Sequence, residues 1–123
     1  MASKQEVSSF IRATFRSVWA LELLLYLRNN SGRSWSQAEM VAGLRSSDLV
    51  VVQSTDSLGA AGLILLEEDG AARYRPASGE LDRLVEGTQA LYAKSPDAVR
   101  RMIIAAANGG LTAFADSFRL RKD

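Results

Sequence analysis

The stretch "SLGAAGLILLEEDGAARYRPAS", residues 57–78, decides the fold. Gly62 stands where a helix ends and the chain must reverse, a position that favours a residue free to take positive φ. Leu63 and Leu65 then fall on one face of a strand, and Tyr74 packs against it from a return strand. Between them, Asp69-Gly70 is the strongest short hairpin signal a sequence carries, so a two-residue turn is expected there. Pro76 stops the second strand. The stretch is therefore a helix running directly into a β-hairpin.

Upstream, "RSSDLVVVQSTDSLGAAGLI" (residues 45–64) supplies that helix, capped by Ser46 or Ser47 and expected to bury Val51, Val52, Thr55, Leu58 and Ala61. Before it, Ser36 to Glu39 has the S-x-x-E spacing of a capping box and opens a short helix with Ala38, Val41 and Leu44 inward. "VWALELLLYL" (residues 18–27) is a helix buried on most sides and ended by "RNNSGR"; it either starts afresh at a Ser17 cap after a kink or continues one long helix from the chain start. A first helix starts at a second capping box, Ser3 to Glu6, and places Val7, Phe10, Ile11 and Phe15 at helical spacing.

Downstream, Ser78 caps a helix with Leu81, Leu84, Val85 and Leu91 on one side. Ser95-Pro96-Asp97 starts another, a cap followed by proline and an acid in the first turn, which carries Val99, Met102, Ile103 and Ala106 as far as "NGG". A last amphipathic helix presents Leu111, Phe114 and Phe118, a surface suited to a second subunit or another protein.

The chain has 123 residues, 47% apolar and 24% charged, the balance of one soluble domain with a core of its own. With neither cysteine nor histidine it lacks a thiol nucleophile, a thiolate zinc site and the usual neutral-pH base. No Gly-rich phosphate loop or metal-ligand cluster is visible, so no enzyme activity, cofactor or metal is expected. Glu22 interrupts the longest apolar run, which is too short to span a bilayer, and "MASKQEVSS" has no signal core, so a cytoplasmic location is expected.

The passage Leu58, Gly62, Leu63, Ile64, Asp69, Gly70 and Tyr74 resembles the "L-x-x-x-G-L-[IV]…D-G…Y" segment of MarR-like and PadR-like bacterial transcriptional regulators. The likeness covers residues 17–78. It implies a mainly α fold with a small β-hairpin wing, a winged helix-turn-helix with extra C-terminal helices over 79–123. It further implies double-stranded DNA as partner and a homodimer formed through the flanking helices.

Charge tests that implication. A DNA-reading helix and wing are ordinarily cationic, because phosphate attraction supplies most non-specific affinity. Residues 46–75 instead hold five acids (Asp48, Asp56, Glu67, Glu68, Asp69) against Arg73 and Arg75, a net −3. The residues left to touch DNA are Arg33, Arg45, Arg73 and Arg75 as a basic rim and Ser47, Gln53 and Ser54 facing outward, Gln53 being suited to adenine. The same scaffold serves elsewhere as a protein-binding module, so the acidic face, or the helix of Leu111, Phe114 and Phe118, is the alternative contact surface. Glu22 is either paired with an arginine at a helix edge or a ligand-binding carboxylate, and Trp19 and Trp35 are either core or pocket lining.

Overall fold

A computed structural model describes residues 2–108. Its centre is α2 (Val18–Asn29), buried on most sides: Leu21, Leu23, Leu24 and Leu27 are fully buried and Ala20 and Leu25 nearly so, while Trp19, Glu22, Tyr26 and Asn29 form one more open stripe. Around it lie α1 (Lys4–Thr14), α3 (Gln37–Leu44), α4 (Asp48–Ala60), a hairpin of β1 (Ile64–Leu66) and β2 (Ala72–Tyr74), α5 (Gly79–Lys94) and α6 (96–108). The described residues are thus mainly helical with one small antiparallel sheet. Among them no helix is long and apolar enough to cross a membrane.

Serines start the helices as the spacing predicts. Ser3 and Glu6, and Ser36 and Glu39, make complete capping boxes, each serine hydroxyl accepting from the N3 amide at 3.1 Å. Ser17, Ser47 and Ser78 accept from Ala20, Val50 and Leu81 in the same way. Each such cap contributes about 1 kcal/mol. Of the two candidates before α4, Ser47 is the cap.

Only three residues, Arg45 to Ser47, separate α3 from α4. The reversal is achieved by Arg45 in the left-handed region, φ +52°, with the Ser46 amide donating to the Val41 carbonyl at 3.0 Å. Glycine is the usual residue at such a helix end. Gly62 takes φ +76° after α4, as expected, and turns the chain into β1.

The hairpin differs from its expected form. Its register pairs Ile64 with Tyr74, Leu65 with Arg73 and Leu66 with Ala72. The Gly70 amide donates to Glu67 and the Glu67 amide to Ala71, so the loop has three residues, Glu68, Asp69 and Gly70, rather than two. Gly70 at φ +89° supplies the left-handed position of this loop class. The inward face follows from that register: Ile64 is buried, whereas Leu65 points outward with Arg73. Trp35, just before α3, adds a rung by exchanging both backbone hydrogen bonds with Ala72, at 2.8 and 2.9 Å.

Two helix faces are rotated from expectation. In α3 the buried residue is Met40, while Ala38 is exposed and Val41 and Leu44 are half-buried. In α4, Val51, Thr55 and Leu58 are buried as predicted, but Val52 and Ala61 are exposed. Four successive apolar residues, Leu49 to Val52, give no periodicity to choose between faces, and the choice is made by packing against α2.

α1 and α5 pack together through Val7, Ile11 and Val85. They approach closely because residue 87 is glycine: a Cβ there would sit 2.6 Å from Val7 Cγ2. α5 is tied to α2 and the hairpin by a polar cluster. Arg28 lies 3.8 Å from Asp82 and 3.7 Å from Glu86 and donates to Gln89 at 2.6 Å, while Tyr74 donates to Asp82 at 2.6 Å. Burial, then the Asp82 carboxylate, pushes the Tyr74 hydroxyl well above its ordinary range, which keeps it a donor.

Candidate nucleic-acid interface

α4 follows the tight turn at Arg45 and turns one face to solvent. Asp48, Leu49, Val52, Gln53, Asp56 and Ala60 are all exposed on it, at helical spacing. α4 itself places no cation on that face. Leu49 is 66% exposed and Val52 39%, an apolar strip between two aspartates. Asp48 accepts from Gln37 of α3 at 2.9 Å, which ties the starts of the two helices together.

The expected contact residues separate into groups. Gln53 is exposed at the middle of α4, and Arg45 is exposed at its start. Ser47 is exposed, but its hydroxyl is engaged as the helix cap. Ser54, expected to face outward, is 4% exposed and faces inward instead, because it lies one helical turn from the buried Val51 and Leu58. Arg73 and Arg75, two residues apart around β2, are both exposed on the outer side of the hairpin with Leu65.

Arg33 is committed elsewhere. Its guanidinium bonds Glu39 at 2.6 Å and stacks over the Trp35 ring at 3.6 Å. The Ser36 amide and then Arg33 hold the Glu39 carboxylate down at about 2, so the pair stays ionised through neutral pH. Its positive charge is therefore compensated locally.

One more arginine stands beside α4. Arg16 is exposed at the corner between α1 and α2, and it borders a shallow groove with Val50, Gln53 and Ser57 of α4. Among the described residues Arg16, Arg45, Arg73 and Arg75 form no ion pair. They stand at different edges of α4: Arg45 at its start, Arg16 along its flank, and the hairpin pair beyond its end. No sequence signal marks Arg16, since its neighbourhood depends on α1 and α2 meeting at a corner.

The hairpin tip is acidic and lies close to the domain. Gly70 packs beside Gln37, a Cβ there falling 3.2 Å from the Gln37 side-chain oxygen. Asp69 turns its carboxylate back onto the Ala71 amide at 3.0 Å, whereas Glu67 and Glu68 are exposed.

The remaining expectations divide. Trp35 is half-buried against Tyr26, edge to face at 5.3 Å, and its indole donates to the Asn30 carbonyl. Trp19 is 42% exposed and lines a cleft with Glu22, so it is not core. Among the described residues Glu22 pairs with no arginine; its carboxylate accepts from the Tyr92 hydroxyl of α5. Leu111, Phe114 and Phe118 lie outside the described residues.

No protein family, curated protein or solved structure matches the chain.

Proposed function

We propose that the chain is a winged helix-turn-helix transcriptional regulator that binds double-stranded DNA as a homodimer. In this reading α3 and α4 are the helix-turn-helix, α4 enters the major groove, and the hairpin is the wing. The observation that carries it is the setting of Gln53: an exposed amide on a helix whose only charges are Asp48 and Asp56, flanked by Arg16 and bordered by Arg45, Arg73 and Arg75, none of these arginines in an ion pair among the described residues. Such a face positions itself through arginine–phosphate contacts at its edges and reads bases with a neutral donor and acceptor at its centre.

The acidic wing tip sets the strength of binding. Glu67 and Glu68 repel phosphate while Arg73 and Arg75 attract it, so one subunit binds weakly and pairing two subunits doubles the arginine contacts. Dimerisation through the helices beyond α4 is part of the proposal, and a cytoplasmic location accompanies it. Arg16→Ala and Arg73→Ala are expected to weaken binding on every sequence, and Gln53→Ala to change sequence preference. Unchanged affinity in all three variants would overturn the assignment of this face.

A second reading rests on Leu49 and Val52. Two large apolar side chains at the centre of a helix face with two aspartates suit contact with another protein whose surface is apolar with a basic edge. In that case Leu49→Ser, which adds polarity without charge, abolishes the protein complex. Under the DNA reading the same change leaves affinity for phosphate intact.

A further inference from the structure

We propose that the cleft between α2, α3 and α6 is a binding site for an organic cation with an aromatic or apolar body. The cleft is open to solvent and has a volume of about 680 Å³, within the range of small-molecule sites. Its walls are Val18, Trp19, Tyr26 and Leu44, and its polar end is formed by Glu22 and Arg100. Gly43 shapes one side: a Cβ there would fall 2.6 Å from the Tyr26 hydroxyl, so only a bare backbone lets the tyrosine lie against α3.

The charge at the polar end selects the sign of the ligand. Arg100 is already bonded to Asp97 at 3.0 Å and rests over the Tyr92 ring. Glu22 has the Tyr92 hydroxyl as its hydrogen-bond partner and no lysine or arginine at ion-pair distance among the described residues. The Arg100 guanidinium is thus held by Asp97, and the half-buried Glu22 is left without a cation among the described residues. Burial, then Glu22 itself, pushes the Tyr92 hydroxyl up, so it remains a donor and holds the carboxylate in place. Beside this charge stands the indole of Trp19, the aromatic face best suited to a cation and unusually exposed for tryptophan. An ammonium at Glu22 with its body along Trp19, Tyr26 and Leu44 pairs with that carboxylate and lies on the apolar walls, while Arg100 keeps its own partner in Asp97. An anion would meet Glu22 head-on.

The test needs no DNA and is independent of the proposed regulator function. The full chain is titrated with phenethylammonium, 2-phenylethanol and phenylacetate, three probes of similar size and different charge. Calorimetry gives the affinities, and the two tryptophan indole N–H resonances report position, since Trp19 lines the cleft and Trp35 lies outside it. The expected result is an affinity for phenethylammonium about ten-fold or more above 2-phenylethanol. Phenylacetate should bind least, and only the Trp19 resonance should shift. Glu22→Gln should erase the preference for the cation while 2-phenylethanol still binds, and Trp19→Ala should weaken both. Equal affinity for the three probes, a preference that survives Glu22→Gln, a shift confined to Trp35, or no binding of any probe at millimolar concentration would each overturn the site. If Glu22→Gln does not fold, the order of the three probes on the unaltered chain and the position of the shift still decide.

Discussion

Replacing Arg45 by glycine separates what this residue does for the fold from what its charge does. Arg45 closes α3 at φ +52°, the one non-glycine residue with positive φ among those described. An L-residue in that conformation costs about 1–2 kcal/mol relative to the right-handed region, and glycine avoids the cost. Against this, glycine has more freedom to lose from the unfolded chain, about 0.4–1 kcal/mol. The guanidinium is exposed and in no ion pair among the described residues, so its removal subtracts little else from stability. Arg45→Gly is thus expected to leave stability unchanged or raise it by up to about 1.5 kcal/mol. Arg45→Ala keeps the strain and should be the less stable variant by about 1 kcal/mol. The two variants lose the same charge, so both should weaken DNA binding equally and lower the slope of log Kobs against log salt by about 0.9 per phosphate contact. Urea denaturation followed by circular dichroism gives the first comparison, and fluorescence anisotropy over a salt series gives the second. A glycine variant clearly less stable than the alanine variant would refute the turn geometry. Retention of full affinity by both would refute the phosphate contact.

Other substitutions probe other links. Glu39→Gln keeps a side chain able to accept from the Ser36 amide but releases Arg33, so DNA affinity and its salt dependence should rise; a fall would mean Arg33 acts only through its pairing. The same variant should be less acid-sensitive. Glu39 is held at about 2 in the folded chain against 4.5 unperturbed, so its stabilisation is complete above the unperturbed value and is lost as pH falls from there toward about 2, a window that pH-dependent denaturation resolves. Gly87→Ala should destabilise the fold by about 1–3 kcal/mol through the clash with Val7, partly offset by better helix propensity, and combining it with Val7→Ala should restore most of the loss. Leu58→Ala, at a fully buried position on the inner face of α4, should cost about 2–5 kcal/mol in the same denaturation assay.

What the sequence made legible is local. Both capping boxes, the Ser78 cap, Gly62 at the end of α4 and the hairpin after it depend on residues within a few positions of one another, and each is found where the spacing places it; of the two readings open at Ser17, a fresh helix and one long one, the fresh helix is found. The hairpin loop was one residue longer than expected because Asp69-Gly70 suits both loop classes, and the Glu67–Ala71 pairing chooses between them. Helix faces were less legible. Leu49 to Val52 reads as apolar on every side, so burial of Ser54 and exposure of Val52 follow from how α4 lies on α2. Long-range pairings left no trace in spacing at all. Trp35 joins Ala72, Glu22 meets Tyr92, and Arg16 comes beside Gln53 across separations that no local pattern encodes. In the candidate contact surface Arg45, Gln53, Arg73 and Arg75 were visible by charge and pattern, and Arg16 only in three dimensions.

The central claim is that this face holds phosphate despite its acids. Fluorescence anisotropy of the full chain on a mixed-sequence duplex, over a series of salt concentrations, tests it most directly. The account predicts binding that weakens linearly in log–log form, with a slope that falls when Arg16, Arg45 or Arg73 is removed. Absence of binding at low salt, or binding indifferent to salt, would contradict it and leave the exposed Leu49 and Val52 as the business end of α4.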